Sequence, residues 1–189
     1  MRDRIPSLIA PLFPLVLLGC SATAQRPTET ARVATKDPVL LVERGKTYTE
    51  VGDYTRAEQY FAAALAAGAK AQDVLPHLLK ACIASGDLRL ASEYAETELA
   101  RNPSNARLRF LTGALHASIG NRVTARRHLE KAASDLPADP SVQFAVATFF
   151  RDDLQDKVVA DPYFREYLKL APKGEHAEEA RASLMERLQ

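Results

Sequence analysis

Glycine followed by a capping residue recurs in this 189-residue chain at a fixed interval: Gly52-Asp53, Gly86-Asp87 and Gly120-Asn121 stand 34 residues apart. Ala57, Ala91 and Ala125 keep that interval, as do the pairs Tyr60 and Tyr94, Leu65 and Leu99, and Pro103 and Pro137. Such a period marks a supersecondary unit repeated along the chain, each copy burying its apolar face against the next. The chemistry resolves the unit into two helices and two turns. Glycine takes the left-handed conformation just past a helix end at no steric cost, and the Asp or Asn that follows caps the next helix by accepting a backbone N–H. Upstream of each Gly, apolar residues fall at helical spacing, as in Leu75, Leu78, Leu79 and Cys82 or Leu108, Leu111 and Leu115. Downstream, Ala57, Tyr60, Phe61, Ala64 and Leu65 do the same, with Ala91, Tyr94, Ala95 and Leu99 as counterparts. The expectation is an all-α solenoid of antiparallel helix pairs, spanning residues 38–71, 72–105, 106–139 and 140–172.

The fourth copy departs from the pattern. Ala147, Phe150, Ala160, Phe164, Leu168 and Pro172 fit it only with one residue inserted in the turn Asp152 to Asp156, where no glycine stands. Beyond it, residues 173–189 are expected to form a capping helix from Glu175 to Leu188, with a stripe of Ala177, Ala180, Leu184 and Leu188 closing the open face of the last pair. Pro76 is reconciled with its helix if Asp73 is the cap, which places the proline in the first turn, where backbone N–H groups lack helical partners.

The order of small residue, aromatic, Gly-Asp-Tyr, alanine, aromatic and Ala-Leu in Gly45, Tyr48, Gly52-Asp53-Tyr54, Ala57, Phe61 and Ala64-Leu65 resembles the tetratricopeptide repeat (TPR). The second copy supplies the closing Pro103 but has Leu79 at the small position, and the third has Gly113, Gly120, Ala125, Ala132 and Pro137. The resemblance covers about 150 residues and implies a groove, lined by the first helix of each pair, that takes a peptide or a helix. The lining positions would be Val42, Pro76, Phe110 and Phe144, then Lys46, Lys80, Ala114 and Thr148, then Thr49, Ile83, Ala117 and Arg151. Lys46, Lys80, Phe110, Phe144 and Arg151 are the candidate partner-binding residues, with a groove basic at its start and aromatic toward its end; packing of both phenylalanines into the repeat core is the competing reading. Lys46 stands where the chaperone-tail binders of this family carry an asparagine, which argues against a chaperone tail as the ligand.

The N-terminus has the layout of an export leader: Arg2 and Arg4 precede an almost wholly apolar run from Ile5 to Leu18, too short for a spanning helix of about 20 residues. Leu17-Leu18-Gly19-Cys20 resembles the lipobox of bacterial lipoproteins, which implies removal of residues 1–19, acylation of Cys20 and anchoring to a membrane; Ser21 at the next position points to the outer one. Residues 20–37 read as a lipidated tether with few large apolar side chains. The chain has 25 basic and 24 acidic residues, and loss of the leader would take two of the first and one of the second, leaving 23 of each. A neutral chain lacks the basic excess that phosphate binding needs, so nucleic acid is not an expected partner.

Cys82 is the only other cysteine and reads as a core residue. His77, His116, His128 and His176 show no metal-ligand spacing, and neither a nucleophile elbow nor a glycine-rich phosphate loop occurs. No enzyme activity, cofactor or metal is expected. The resemblance implies a membrane-anchored interaction scaffold for a protein or peptide partner, similar to outer-membrane pilotins and motility-associated TPR lipoproteins that assist assembly of type IV pili or gliding machinery. Rival readings are an outer-membrane protein assembly factor and a solute-binding or hydrolytic lipoprotein.

Overall fold

A computed structural model describes residues 36–185. The leader, Cys20, most of the tether and Leu188 lie outside the described residues. Eight helices form four consecutive pairs: α1 (Pro38–Glu50) with α2 (Tyr54–Ala66), α3 (Ala71–Ser85) with α4 (Leu88–Arg101), α5 (Ala106–Ser118) with α6 (Arg122–Asp135), and α7 (Pro140–Thr148) with α8 (Lys157–Leu170). A short α9 (Ala177–Ser183) follows and packs on α8.

The glycines perform the role their spacing suggests. Gly52, Gly86 and Gly120 have φ of 76°, 82° and 78°. The next residue's N–H bonds the carbonyl five positions back, as Asp53 to Tyr48, Asp87 to Cys82 and Asn121 to His116, at 2.8–2.9 Å. The same Asp53, Asp87 and Asn121 side chains then accept from the N–H of Arg56, Leu90 and Thr124.

The irregular fourth turn follows the same plan with one residue more. The end of α7 widens into a π turn over Phe149–Asp153, Gln155 takes the left-handed position with φ 55°, and the N–H of Asp156 bonds the carbonyl of Phe150, six positions back. The inserted residue is therefore absorbed as a π bulge, and Asp156 still caps α8 through the N–H of Val159.

Two expectations are corrected. α3 begins at Ala71, and its cap position, Lys70, makes no side-chain bond; Asp73 lies inside the first turn and Pro76 beyond it. Gly68, at φ 92°, ends α2 early, with the N–H of Ala69 bonded to the carbonyl of Ala64, so the next helix starts before Asp73. Pro76 then deprives the Gln72 carbonyl of its helical donor. The cap is also shorter than expected: α9 ends at Ser183, and Leu184 and Met185 are not helical. Ala177 and Ala180 are buried against the core as anticipated.

Within each pair the contact is filled by one small and one large residue. A side chain on Gly45 would come within 2.5 Å of the Phe61 ring, and one on Gly113 within 2.8 Å of Leu129. The equivalent positions in the second pair are Leu79 and Ala95, and in the fourth Ala147 and Phe164; all four are buried. Ala57, Ala91, Ala125 and Ala160 are buried at the helix crossings. The apolar interior falls into two clusters, one running from Leu41 to Leu115 and one from Ala125 to Ala180.

Candidate functional site

The first helices of the pairs share a face, and two depressions lie along it. Between α3 and α5 is a cleft of about 320 Å³, floored by Leu75, Pro76, Leu79, Leu108 and Leu111. Gln72, Asn102, Asn105 and Arg107 edge it. Asn105 accepts from the N–H of Leu108 as the cap of α5, and the exposed Arg107 pairs with Asp139 at 3.0 Å, so the rim is polar and partly engaged within the chain. A shallower depression of about 210 Å³ between α5 and α7 has Ala114, Ala117, Ala145 and Thr148 in its lining, with Asp152 and Asp153 at one edge.

The candidate residues fare differently. Lys46 is half-buried and paired with Glu43 at 2.9 Å, whereas Lys80 is exposed and has no ion-pair partner among the described residues. Phe110 is half-buried against the second apolar cluster. Phe144 stacks on His176 at 4.1 Å and meets Tyr167 and Phe164 at 5.2 and 5.9 Å, so its ring is engaged beneath the C-terminal turn.

Arg151 is not an open groove cation. Its guanidinium bonds both carboxylate oxygens of Asp152 at 2.7 and 2.8 Å, Glu179 at 2.8 Å and the Ser183 hydroxyl at 2.6 Å, and it lies over Phe164. The Asp152 hydrogen bonds raise the Arg151 pKa, and Arg151 in turn holds the Asp152 carboxyl below its ordinary value. Arg151 is a strut that fastens α9 to the end of α7. The π turn explains the change: the inserted residue re-aims this side chain toward the cap. The far end of the face therefore presents Asp152 and Asp153 and not the free aromatic anchors expected there.

The cleft-floor leucines were legible only as core stripe. Leu79 at the small position was the one signal, because a large side chain on the first helix builds up that helix's surface. Cys82 is fully buried, with its thiol pushed up to about 12 chiefly by burial, as a core residue should be. Among the described residues no group of three His, Cys, Asp or Glu is arranged to hold a metal ion, and no helix is long and apolar enough to cross a membrane.

Comparison with solved structures places this architecture. YrrB, described as a TPR protein with an unusual peptide-binding site, superposes with a TM-score of 0.67 at 18% identity, over 78% of this chain and 75% of that one. This chain has a TPR fold. MamA from Desulfovibrio magneticus RS-1 gives 0.64 at 20% identity over 75% of this chain and 79% of its own, and a further MamA structure gives 0.62 at 18% identity over 81% and 80%. At these identities the likeness concerns the TPR fold alone. No family model matches the sequence, and no curated protein matches it significantly.

Proposed function

We propose that this TPR chain is a membrane-anchored interaction scaffold that holds a peptide segment of a protein partner in the α3/α5 cleft, assisting assembly of an envelope machine of the pilus or gliding type. The observation that carries the reading is the cleft itself: an apolar floor in which Pro76 is exposed and Leu111 half-buried above the buried Leu75, Leu79 and Leu108, with a polar rim, on the face built by first helices. Apolar side chains entering such a depression dominate peptide interfaces, while rim charges such as Arg107 act mainly on association rate and salt dependence. The peptide-binding site named for YrrB supports the assignment of this class of ligand. Anchoring rests on the leader and Cys20 alone.

A photocrosslinker in place of Gln72, which lines the cleft and is exposed, should in membranes of producing cells trap one partner, and Leu111→Glu should abolish the crosslink while leaving the helical content unchanged. Undiminished crosslinking by the Leu111 variant would place binding elsewhere. Cys20→Ala should release the protein from the membrane fraction; retention there would remove the lipid-anchor reading.

A further inference from the structure

The two apolar clusters meet at the third repeat, and there a repeated aromatic pair is replaced by histidines. Tyr48 stacks on Tyr60 in the first repeat, with ring centroids 5.3 Å apart, and Phe150 on Tyr163 in the fourth, at 5.9 Å. The equivalent residues of the third repeat are His116 on α5 and His128 on α6, stacked at 6.0 Å with 18° between the rings. Both are buried, at 9% and 5% exposure.

Both rings aim at one atom of the preceding repeat. Glu96 Oε1 on α4 lies 3.1 Å from His116 Nε2 and 3.0 Å from His128 Nε2. An ionised carboxylate only accepts, so each Nε2 carries the donated proton and each Nδ1 is bare. Both Nδ1 atoms are buried without a hydrogen-bond partner. A further proton would create a buried N–H with no acceptor, on a ring stacked against its twin.

The surrounding charges do not compensate for two such protons. From α4 the pair receives Glu96, which can neutralise one imidazolium. From α6 it receives Arg127, whose Nη2 lies 3.3 Å from His128 Nε2; a guanidinium only donates, so with that nitrogen's proton given to Glu96 the contact sets donor against donor and adds positive charge. α7, which packs on α6, has no ionisable side chain.

We propose that the His116–Glu96–His128 cluster is a proton-operated hinge: protonation of His128, stacked on His116 beside Glu96, loosens the third repeat from α4, so that the solenoid opens at this seam as the pH falls below neutral. Burial, aided by Arg127 and His116, holds the His128 pKa below its ordinary value of 6.5 against the pull of Glu96. A group depressed in this way favours the closed form fully above the ordinary value and withdraws that support as the pH falls through it. The one proton that His128 takes up on opening lowers the closed-to-open ratio about tenfold per pH unit between its ordinary and its depressed value. The hinge joins α4 to α5, both of which border the α3/α5 cleft, so opening would also alter the cleft.

The test uses the full chain and needs no ligand. Hydrogen exchange of the α5 and α6 amides, with ring-proton NMR of the histidines, is followed from about pH 7.5 to 5 in the wild type and in His116→Phe/His128→Tyr, which installs the fourth repeat's own pair. Wild-type protection should fall about tenfold per pH unit more steeply than in the double variant below pH 6.5. Parallel loss in the two proteins would overturn the hinge. If the double variant does not fold, the wild type decides: His128 titrating at the ordinary value, with α5 protection unchanged across its titration, sinks the proposal, and a depressed titration accompanied by loss of protection sustains it.

Discussion

The first and second helix pairs fill the same contact from opposite sides. In the first, Gly45 yields to Phe61 so closely that even a methyl group would strike the ring; in the second, Leu79 faces the position held by Ala95, and both are buried. The period thus constrains the combined volume between two helices and leaves open which helix supplies it. The consequence reaches the surface: a large residue on the first helix belongs to the face that carries the cleft, and Leu79 contributes to its floor. An inverted pair is one way for a repeat to shape a depression on that face without losing its packing.

The sharpest way to break this comparison is to invert the first pair deliberately. Phe61→Ala should cost about 3–5 kcal/mol by leaving a cavity, and Gly45→Leu about 1–3 kcal/mol by overpacking. The combination Gly45→Leu/Phe61→Ala reproduces the second pair and should cost clearly less than the two together when denaturant unfolding is compared across the cycle. Additive losses would mean that the pairs are not interchangeable in volume.

Ala91 sits at the crossing of the second pair and is fully buried. Ala91→Leu should cost about 1–3 kcal/mol. An unchanged unfolding midpoint would show that this crossing, unlike the Gly45 contact, has room to spare.

At the other end of the chain, Arg151→Ala removes the strut between α7 and α9. Its carboxylate partners are about half exposed, so solvent screening holds each of these contacts to roughly 0.2–1 kcal/mol. The loss should appear locally, as faster amide exchange in Ala177–Ser183 with little change in α1 to α4. Uniform loss across the chain would mean that the cap is cooperative with all four pairs.

The smallest effect is expected at the irregular turn. Gln155 occupies the left-handed conformation that glycine takes in the other three turns. Gln155→Gly should relieve backbone strain of about 1 kcal/mol, offset in part by the greater freedom of glycine in the unfolded chain. Gly120→Ala should shift the unfolding midpoint in the opposite direction, with no clash, because nothing lies within 4 Å of the added carbon.

Much of this architecture could be read from residue order because its determinants are local. A glycine at a helix end and an Asp or Asn after it need only a few neighbouring backbone atoms to act, so Gly52, Gly86 and Gly120 marked three turns, and the fourth, which has no glycine, was placed by fitting the flanking Ala147, Phe150, Ala160 and Phe164 to the period with one residue inserted. Buried alanines at 34-residue spacing carried the crossings for the same reason. The start of α3 was misplaced because Gly68 competed with Asp73, and from sequence alone a carboxylate in the first turn looks like a cap.

What the tertiary structure decided are the relations between residues far apart in sequence. The π turn swings Arg151 onto Glu179 and Ser183, 28 and 32 positions on, and no spacing rule reports where an inserted residue will aim its neighbour. Phe144 finds His176 across a full repeat. His116, His128 and Glu96 sit on three helices with no motif linking them, and they meet because the stacking of one pair on the next brings Glu96 of α4 against α5 and α6. The sequence by itself determined the repeat, its turns and its core alanines, through interactions that close within a few residues. Only packing between repeats decided which charges are committed, where the cleft opens and where a polar seam divides the core, because those depend on distances that the chain order does not encode.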